Sequence, residues 1–433
     1  MGGRNEGGFE LGGSEVDPLP QHAAEPTGEP LGVTGLRRLV VDHRGFGEKG
    51  SEHRTEPVDL AGDLFPASQL GKPLAKKLLL HYGGGSIKRI GLYDRVVTAL
   101  RENGIDFVEL GGAVPNPRLE LVHEGVGLCR REKVDFVLAV GGGSAIDSAK
   151  AIALGALYDG DVWDFYMRKA EPAGILGLAT ILTAPAAGSE MSASSVISNM
   201  ETGIKQGLTH DLLRPLMSAL DPEYCASLPV WQVAAGGYDI MAHVMERYFT
   251  NTKRVDLTDR LCEAVLKCVI LNLPLAIENP ADYDAQAELM WASSIAHNNL
   301  LGTGREQDWA SHAMSHELSA MYDVTHGAGL SVMQPKWMRY VYTHDVARFA
   351  QFASRVFDAE YQTDQNAMAL EGIARLERFI TRCGLPLTLP ELGVKDDRCA
   401  ELARRCTREE TRQVGFFVRL YTADIEKIYH SAL

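Results

Sequence analysis

The sequence has no C-x-x-C pair, and its seven cysteines, Cys129, Cys225, Cys262, Cys268, Cys383, Cys399 and Cys406, stand apart along 433 residues. An odd, scattered set argues against a disulfide framework or a structural zinc site and for reduced thiols in a cytoplasmic protein. Long apolar runs are missing as well. The longest mostly apolar stretch, "GILGLATILTAPAAG" from Gly174 to Gly188, falls short of the ~18 residues a membrane span needs. No charged-then-apolar leader opens the chain, so no export is expected. Basic charge is in deficit: 43 Lys and Arg against 57 Asp and Glu leave a formal net charge of −14, which argues against nucleic acid and membrane surfaces as partners. There is no internal repeat, and neither Gly83-Gly84-Gly85 nor Gly141-Gly142-Gly143 forms a G-x-G-x-x-G fingerprint or a Walker loop.

What is present has ordinary globular proportions, with 45% hydrophobic and 23% charged residues over a length that allows two or three domains. Residues 1–60 are rich in Gly, Glu and Pro without a sustained apolar period and read as a mobile extension. "LRRLVVD" from Leu36 to Asp42 is the exception and suits a short strand. From Lys76 the texture changes to short apolar runs alternating with amphipathic stretches. "KKLLLHY", "FVEL", "VDFVLAV" and "GILGLATI" suit strands; "GLYDRVVTALRENG", "NPRLELVHEGVGLCRREK" and "SAIDSAKAIALGALY" suit helices. This alternation predicts βαβ crossovers and a parallel sheet over residues 61–220. After Asp221 the strand signals stop and long amphipathic stretches such as "QVAAGGYDIMAHVMERYF" predict an all-α second domain over 221–433.

Two glycine triplets end predicted strands: Gly83-Gly84-Gly85-Ser86 and Gly141-Gly142-Gly143-Ser144. The second opens a helix, so its backbone N–H groups and helix dipole make an anion site suited to a pyrophosphate, where a Cβ would hold the phosphate away. A tight turn would explain either triplet alone. Two of them at strand carboxyl ends fit the edge at which open α/β sheets bind nucleotides, so a Rossmann-like dinucleotide-binding unit is expected. Ser86, Lys88 and Arg89 place a hydroxyl and positive charge at the first turn, with no acidic residue to claim a ribose hydroxyl. That favours NADP(H) over NAD(H).

In the second half, Asp239 and His243 lie four apart on an amphipathic helix, and His312 and His316 repeat that spacing. His326 follows at "YDVTHGAG", where Gly327 and Gly329 are expected to let the chain bend back. One carboxylate and three imidazoles make a mixed O/N set for Fe(II) or Zn(II) with a position left for a substrate oxygen. Four of the five candidates suffice, and spacing does not say which of His312 and His316 is spare.

The strings "VGGGSAIDSAKAIA", "TAPAAGSE", "YDIMAHVMERY" and "SHAMSHELSAMYDVTHGAGLSVMQP" resemble the iron-containing (group III) alcohol dehydrogenase family, in its branch of NADPH-dependent butanol dehydrogenases and broad-range aldehyde reductases. The resemblance runs from about Lys76 to the C-terminus. It implies a dinucleotide-binding α/β domain followed by a helical metal-binding domain, a dehydroquinate synthase-like fold. It also implies hydride transfer between NADP(H) and small aldehydes or primary alcohols, one divalent ion, and a homodimer. Residue by residue, it makes Asp239, His243, His312 and His326 the metal ligands and His316 the non-ligand histidine beside nicotinamide and substrate. Gly142, Gly143, Ser144 and Asp147 then match the pyrophosphate motif, Gly83 to Ser86 the 2′-phosphate loop, and Thr183 and Lys205 further cofactor contacts. Ala187 departs from the family, standing where a second threonine is usual. The initial strand–Gly–strand hairpin of the family is only loosely matched by "HRTEPVDLAGDLFPASQLGKPL", which would leave a sheet edge uncovered. A polyol dehydrogenase of the glycerol type using NAD and zinc is the nearer rival. A dehydroquinate synthase-like lyase fits less well, because basic residues for a phosphorylated substrate are sparse around the ligands.

Overall fold

The computed structural model describes residues 38–41, 75–395 and 397–433. The extension expected over 1–60 and the loosely matched hairpin segment therefore lie outside the described residues, apart from strand β1 (Arg38–Val41). Seven more strands follow: β2 (Lys77–Gly83), β3 (Asp106–Ala113), β4 (Phe136–Gly141), β5 (Gly177–Leu182), β6 (Ser194–Asn199), β7 (Ile204–Thr209) and β8 (Met217–Leu220). Six of these eight strands form one sheet in the order β1-β8-β5-β4-β2-β3, every pair parallel. The crossovers run through α1 (Leu92–Glu102), α2 (Leu119–Glu132) and α3 (Gly143–Gly155).

A parallel sheet covered on both faces needs strands that are apolar on both sides. Leu78, Leu79 and Leu80 in β2 and every residue of β4 are accordingly buried, and separate apolar clusters fill the two faces. The edge of β8 is not bare: β1 pairs with it from Arg38 opposite Met217 to Val41 opposite Leu220. β6 and β7 form a separate antiparallel hairpin that the sequence did not announce, because the strands SSVISN and IKQGLT carry little apolar signal.

The chain order along the sheet reverses between β2 and β4. β3 is added on one side of β2, and everything later is added on the other. The crevice at such a switch point, beyond the strand carboxyl ends, is where open α/β sheets take ligands. Gly83 ends β2 and Gly141 ends β4, so both glycine triplets flank it.

The remainder is helical. α4 (Val230–Tyr248) is buried along nearly its whole length from Val233 to Tyr248, as expected for the central member of a helical cluster. Around it pack α5 (Asp256–Glu278), α6 (Tyr283–His297) and α8 (His326–Val341), with α7 (Ala310–Tyr322) against α8. α9 (Val346–Phe357), α10 (Gln365–Arg382), α11 (Cys399–Thr407) and α12 (Thr422–His430) complete the cluster. No helix among the described residues is long and apolar enough to cross a membrane.

Candidate active site

Three helices deliver the candidate ligands. α4 carries Asp239 and His243, α7 carries His312 and His316, and His326 is the first residue of α8. A carboxylate oxygen of Asp239 and one ring nitrogen each from His312 and His326 fall within 4.8 Å of one another. Nε2 of His312 and Nε2 of His326 each stand 3.9 Å from Asp239 Oδ1. The His243 ring is beside them, its centre 4.6 Å from that of His312.

The three imidazoles are oriented alike. His243 gives its Nδ1 to the Asp239 carbonyl at 2.8 Å, and His312 gives its Nδ1 to Glu246 Oε1 at 2.7 Å. His326 Nδ1 faces Ser315 Oγ at 3.3 Å. In each ring Nε2 is the nitrogen left over. Asp239 Oδ1 and His312 Nε2 are buried with no hydrogen-bond partner. Buried polar atoms are nearly always satisfied, so a cluster of unsatisfied acceptors asks for a cation. Burial first, then neighbouring positive groups, pushes the ring pKa values of His312 and His326 well down, which favours the neutral imidazole that a metal takes. His316 is also held neutral, by burial and then by Lys205. Its ring centre lies 5.2 Å from that of His326 and 6.4 Å from that of His312.

The expected bend at Gly327 and Gly329 is not where the chain turns. Both glycines lie inside α8, and the turn is made before them at Asp323, whose φ is 53°. The glycines serve close packing: a Cβ on Gly327 would collide with the Ala235 carbonyl of α4, and one on Gly329 with Ser315 Oγ of α7. They let the helix bearing His326 approach the two that bear the other candidate ligands.

Spacing also passed over a supporting layer. Glu246 sits at i+7 from Asp239 on the same face of α4, a pattern that does single it out. Its Oε1 accepts from the ring and backbone N–H of His312, and its Oε2 accepts from the Trp309 backbone N–H at 2.9 Å. Burial raises the Glu246 carboxyl pKa. Trp309 has φ 68°, a left-handed conformation costly for a bulky residue, and the Glu246 contact and the Arg247 guanidinium 4.7 Å over its ring hold it there. His297, ending α6, lies with its ring centre 4.3 Å from that of His243, tilted by 35°, and gives its Nδ1 to the Ala187 carbonyl at 2.6 Å.

On the sheet side, Gly83, Gly84, Gly85 and Ser86 form the turn after β2, with Gly85 at φ 108°, and Ser86, Lys88 and Arg89 are exposed. The ammonium of Lys88 lies 5.1 Å from the ring centre of Tyr82 and 4.5 Å from that of Tyr93. Gly142 caps α3, and Gly143 and Ser144 open it, with no side-chain cap and no acidic residue in the first turn. Thr183 sits opposite, its N–H donating to the Gly141 carbonyl at 3.1 Å. Asp147 spends both carboxylate oxygens inside the protein, accepting from Ser189 Oγ at 2.6 Å and the Val196 N–H at 2.9 Å. Lys205, on β7, donates to Asn116 Oδ1 at 2.8 Å, and burial lowers its pKa to about 8. The loop 183–190 joins the two halves. A Cβ on Gly236, three residues before Asp239, would strike the Pro185 carbonyl, and Ser293 Oγ of α6 donates to the Ala186 carbonyl at 3.2 Å.

Comparison with known proteins decides the family. The family model described as "Iron-containing alcohol dehydrogenase" matches residues 61–222, and "Fe-containing alcohol dehydrogenase family, C-terminal" matches 233–433. The chain belongs to the iron-containing alcohol dehydrogenase family. It is an oxidoreductase of that family, similar over 359 residues, at 42% identity, to the NADH-dependent butanol dehydrogenase A of Clostridium acetobutylicum, covering 83% of this chain and 92% of the relative. It is 35% identical over 346 residues to the NADPH-dependent aldehyde reductase YqhD of Escherichia coli, covering 79% and 89%. The crystal structure of an NADH-dependent butanol dehydrogenase A from Thermotoga maritima superposes with a TM-score of 0.81 at 36% identity, over 84% of this chain and 92% of that one. These family members differ in the coenzyme their names carry.

Proposed function

We propose that this family member interconverts small aldehydes and primary alcohols using NADP(H) and one divalent ion, Fe(II) or Zn(II), held by Asp239, His243, His312 and His326. The observation that carries the reading is the buried meeting of an unpartnered carboxylate oxygen and imidazole Nε2 atoms beside the switch-point crevice. The ion, when bound, supplies Lewis acidity toward a carbonyl.

The chain's own residues do the rest. Gly142, Gly143 and Ser144 offer the start of α3 to the pyrophosphate, and Ser86, Lys88 and Arg89 offer a hydroxyl and positive charge to a 2′-phosphate. Asp147 fixes the loop that carries Thr183, and Lys205 faces the coenzyme from β7. Glu246 keeps the proton of His312 on Nδ1, so that Nε2 is the free ligand atom. His316, close to His326 and held neutral, is the residue to which we assign proton transfer to the substrate oxygen through a ring nitrogen. Trp309 and His297 border the ligand rings on the side where a short apolar chain would lie. The homodimer implied by the resemblance and the cytoplasmic setting read from the scattered cysteines are part of this reading.

NADH is the competing coenzyme, favoured by the names of the butanol dehydrogenases at 42% and 36% identity. One assay separates the readings: absorbance decay of NADPH, with NADH alongside, when anaerobically purified protein meets butanal, repeated after chelation and after return of Fe(II) or Zn(II). Fast NADPH-selective decay that returns with metal supports the proposal. Preference for NADH overturns the coenzyme assignment, and decay indifferent to chelation overturns the metal.

A further inference from the structure

The turn that presents His326 is tied to the opposite half of the molecule. Asp323, which begins that turn, accepts from Arg118 Nη2 at 2.9 Å on both carboxylate oxygens and from Asn116 Nδ2 at 2.9 Å. Asn116 Nδ2 also reaches the Val324 carbonyl at 3.5 Å. Asn116 and Arg118 belong to the loop after β3, at the same carboxyl edge as the glycine turns. Asn116 has φ 55°, and that loop is anchored again where the Ser198 N–H donates to the Pro117 carbonyl at 2.8 Å. The other oxygen-bearing end of Asn116 receives Lys205 Nζ. Trp231, at the start of α4, donates from Nε1 to Thr325 Oγ1 at 3.2 Å, so both residues preceding Val324 and His326 in the turn are held from outside α8.

A continuous chain of hydrogen bonds thus runs from Lys205 through Asn116 to Asp323, and from there two peptide links lead to the residue before His326. Nothing local to α8 requires this arrangement. Asp323 lies outside α8, which Thr325 caps, and its side chain is 60% exposed, so water could satisfy the carboxylate. The contact of Arg118 Nη2 with both carboxylate oxygens instead ties the turn to the loop after β3.

We propose that Arg118, Asn116 and Asp323 are positioning residues that couple the two sites: they set His326 from the crevice side, so that nucleotide in the crevice slows loss of the metal, and metal tightens the nucleotide. This rests on the proposed function, since it needs both ligands. Coupling of this kind is reciprocal, the same factor appearing in both affinities. A bonded path is a reason to look for coupling, and the measurement of the factor is what establishes it.

The test is loss of Co(II) or Zn(II) from the loaded full-length protein to a chelating chromophore, with and without saturating NADPH, in the wild type and in Arg118→Ala, Arg118→Lys and Asp323→Asn. We expect NADPH to slow metal loss about fivefold or more in the wild type. In Arg118→Ala and Asp323→Asn this protection falls to within about twofold of none, while Arg118→Lys, which keeps one bond, recovers part of it. Metal-free wild type should bind NADPH more weakly than metal-loaded wild type, and metal-free Arg118→Ala should bind it as metal-loaded Arg118→Ala does. A purely structural role would lower the thermal midpoint and leave the protection ratio intact. If Arg118→Ala does not fold, the near-isosteric Asp323→Asn reads the same ratio. Full protection in a folded variant, or none in the wild type, overturns the coupling while leaving the proposed function standing; a wild type that holds neither metal nor nucleotide overturns both.

Discussion

His81 in the sheet and His312 in the helical half share most of their local description. His81 gives its Nδ1 to the Leu110 carbonyl at 2.8 Å, His312 gives its own to Glu246 at 2.7 Å, and both Nε2 atoms are buried without a partner. Burial pushes both ring pKa values down, that of His81 to about 4. Their company differs. His312 Nε2 shares its space with an orphaned carboxylate oxygen and a second imidazole, whereas His81 joins no group of three candidate ligands among the described residues. An unsatisfied ring nitrogen marks a ligand where other unsatisfied donor atoms converge on it. Alone, it marks a core histidine that accepts the cost of one idle nitrogen.

The largest effect that would break this comparison is expected at His312. His312→Ala should abolish metal retention and aldehyde reduction together, lowering turnover by about 10³-fold or more, since the ion's share of the barrier is several kcal/mol. Elemental analysis beside the coenzyme assay checks it, and an active, metal-replete variant would remove His312 from the ligand set.

His81 should fail differently, through pH. Its folded pKa is depressed from 6.5 to about 4, so the unfolded chain binds the extra proton first. Its contribution to stability is then complete above about pH 6.5 and is lost as pH falls from there toward 4. Between pH 7 and pH 5 that amounts to about 2 kcal/mol. Urea midpoints of wild type and His81→Leu at the two pH values read the difference: the variant should lose about that much less on acidification, with its metal content unchanged. Equal losses in the two proteins would show that His81 is not buried neutral.

Glu246→Gln sharpens the comparison at the shared Nδ1 contact. It should weaken metal affinity by about 10- to 100-fold, as loss of a carboxylate behind a ligating imidazole does, without changing nucleotide affinity. Competition with a chelating chromophore, set beside NADPH titration of the metal-free protein, separates the two. An unchanged metal affinity would reduce Glu246 to a packing role.

The smallest effect belongs to the crevice. The Cβ of Ala187 lies 3.7 Å from where a Gly143 Cβ would be, so a hydroxyl added there stands at the pyrophosphate loop. Ala187→Thr should tighten NADP(H) by about fivefold or less, the worth of one modest hydrogen bond. Fluorescence titration measures it, and weaker binding in the variant would mean that the loop is packed for alanine.

Much of this was legible in the chain itself, for physical reasons that differ by region. The strands of the sheet announce themselves because a parallel strand buried on both faces is a solid apolar run, as in "KLLL" and "FVLAV". The candidate ligand pairs Asp239/His243 and His312/His316 stand out because i,i+4 spacing on a helix is fixed by its pitch. Glu246 was within reach by the same logic, three residues beyond His243. Gly327 and Gly329 were legible as important and misleading as to purpose: a glycine in sequence signals freedom to turn or room to pack, and only the position of Ala235 and Ser315 distinguishes them. Asn116, Arg118 and Asp323 carried no local pattern, because their partners lie more than two hundred residues away along the chain.

The pairing of β1 with β8 also sets an order on how the molecule is made. The strand Arg38–Val41 is among the first of the described residues to be synthesised, yet its neighbour in the sheet is Met217–Leu220. Until that later stretch has been translated and has itself docked on β5, there is no edge for β1 to join. Three of its four residues are apolar, so the nascent chain carries a strand without a place while the interior of the sheet assembles. Among the described residues, the first strand to be synthesised thus finds its neighbour only after the other strands of that sheet have been made, a pairing of high sequence separation of the kind that slows folding.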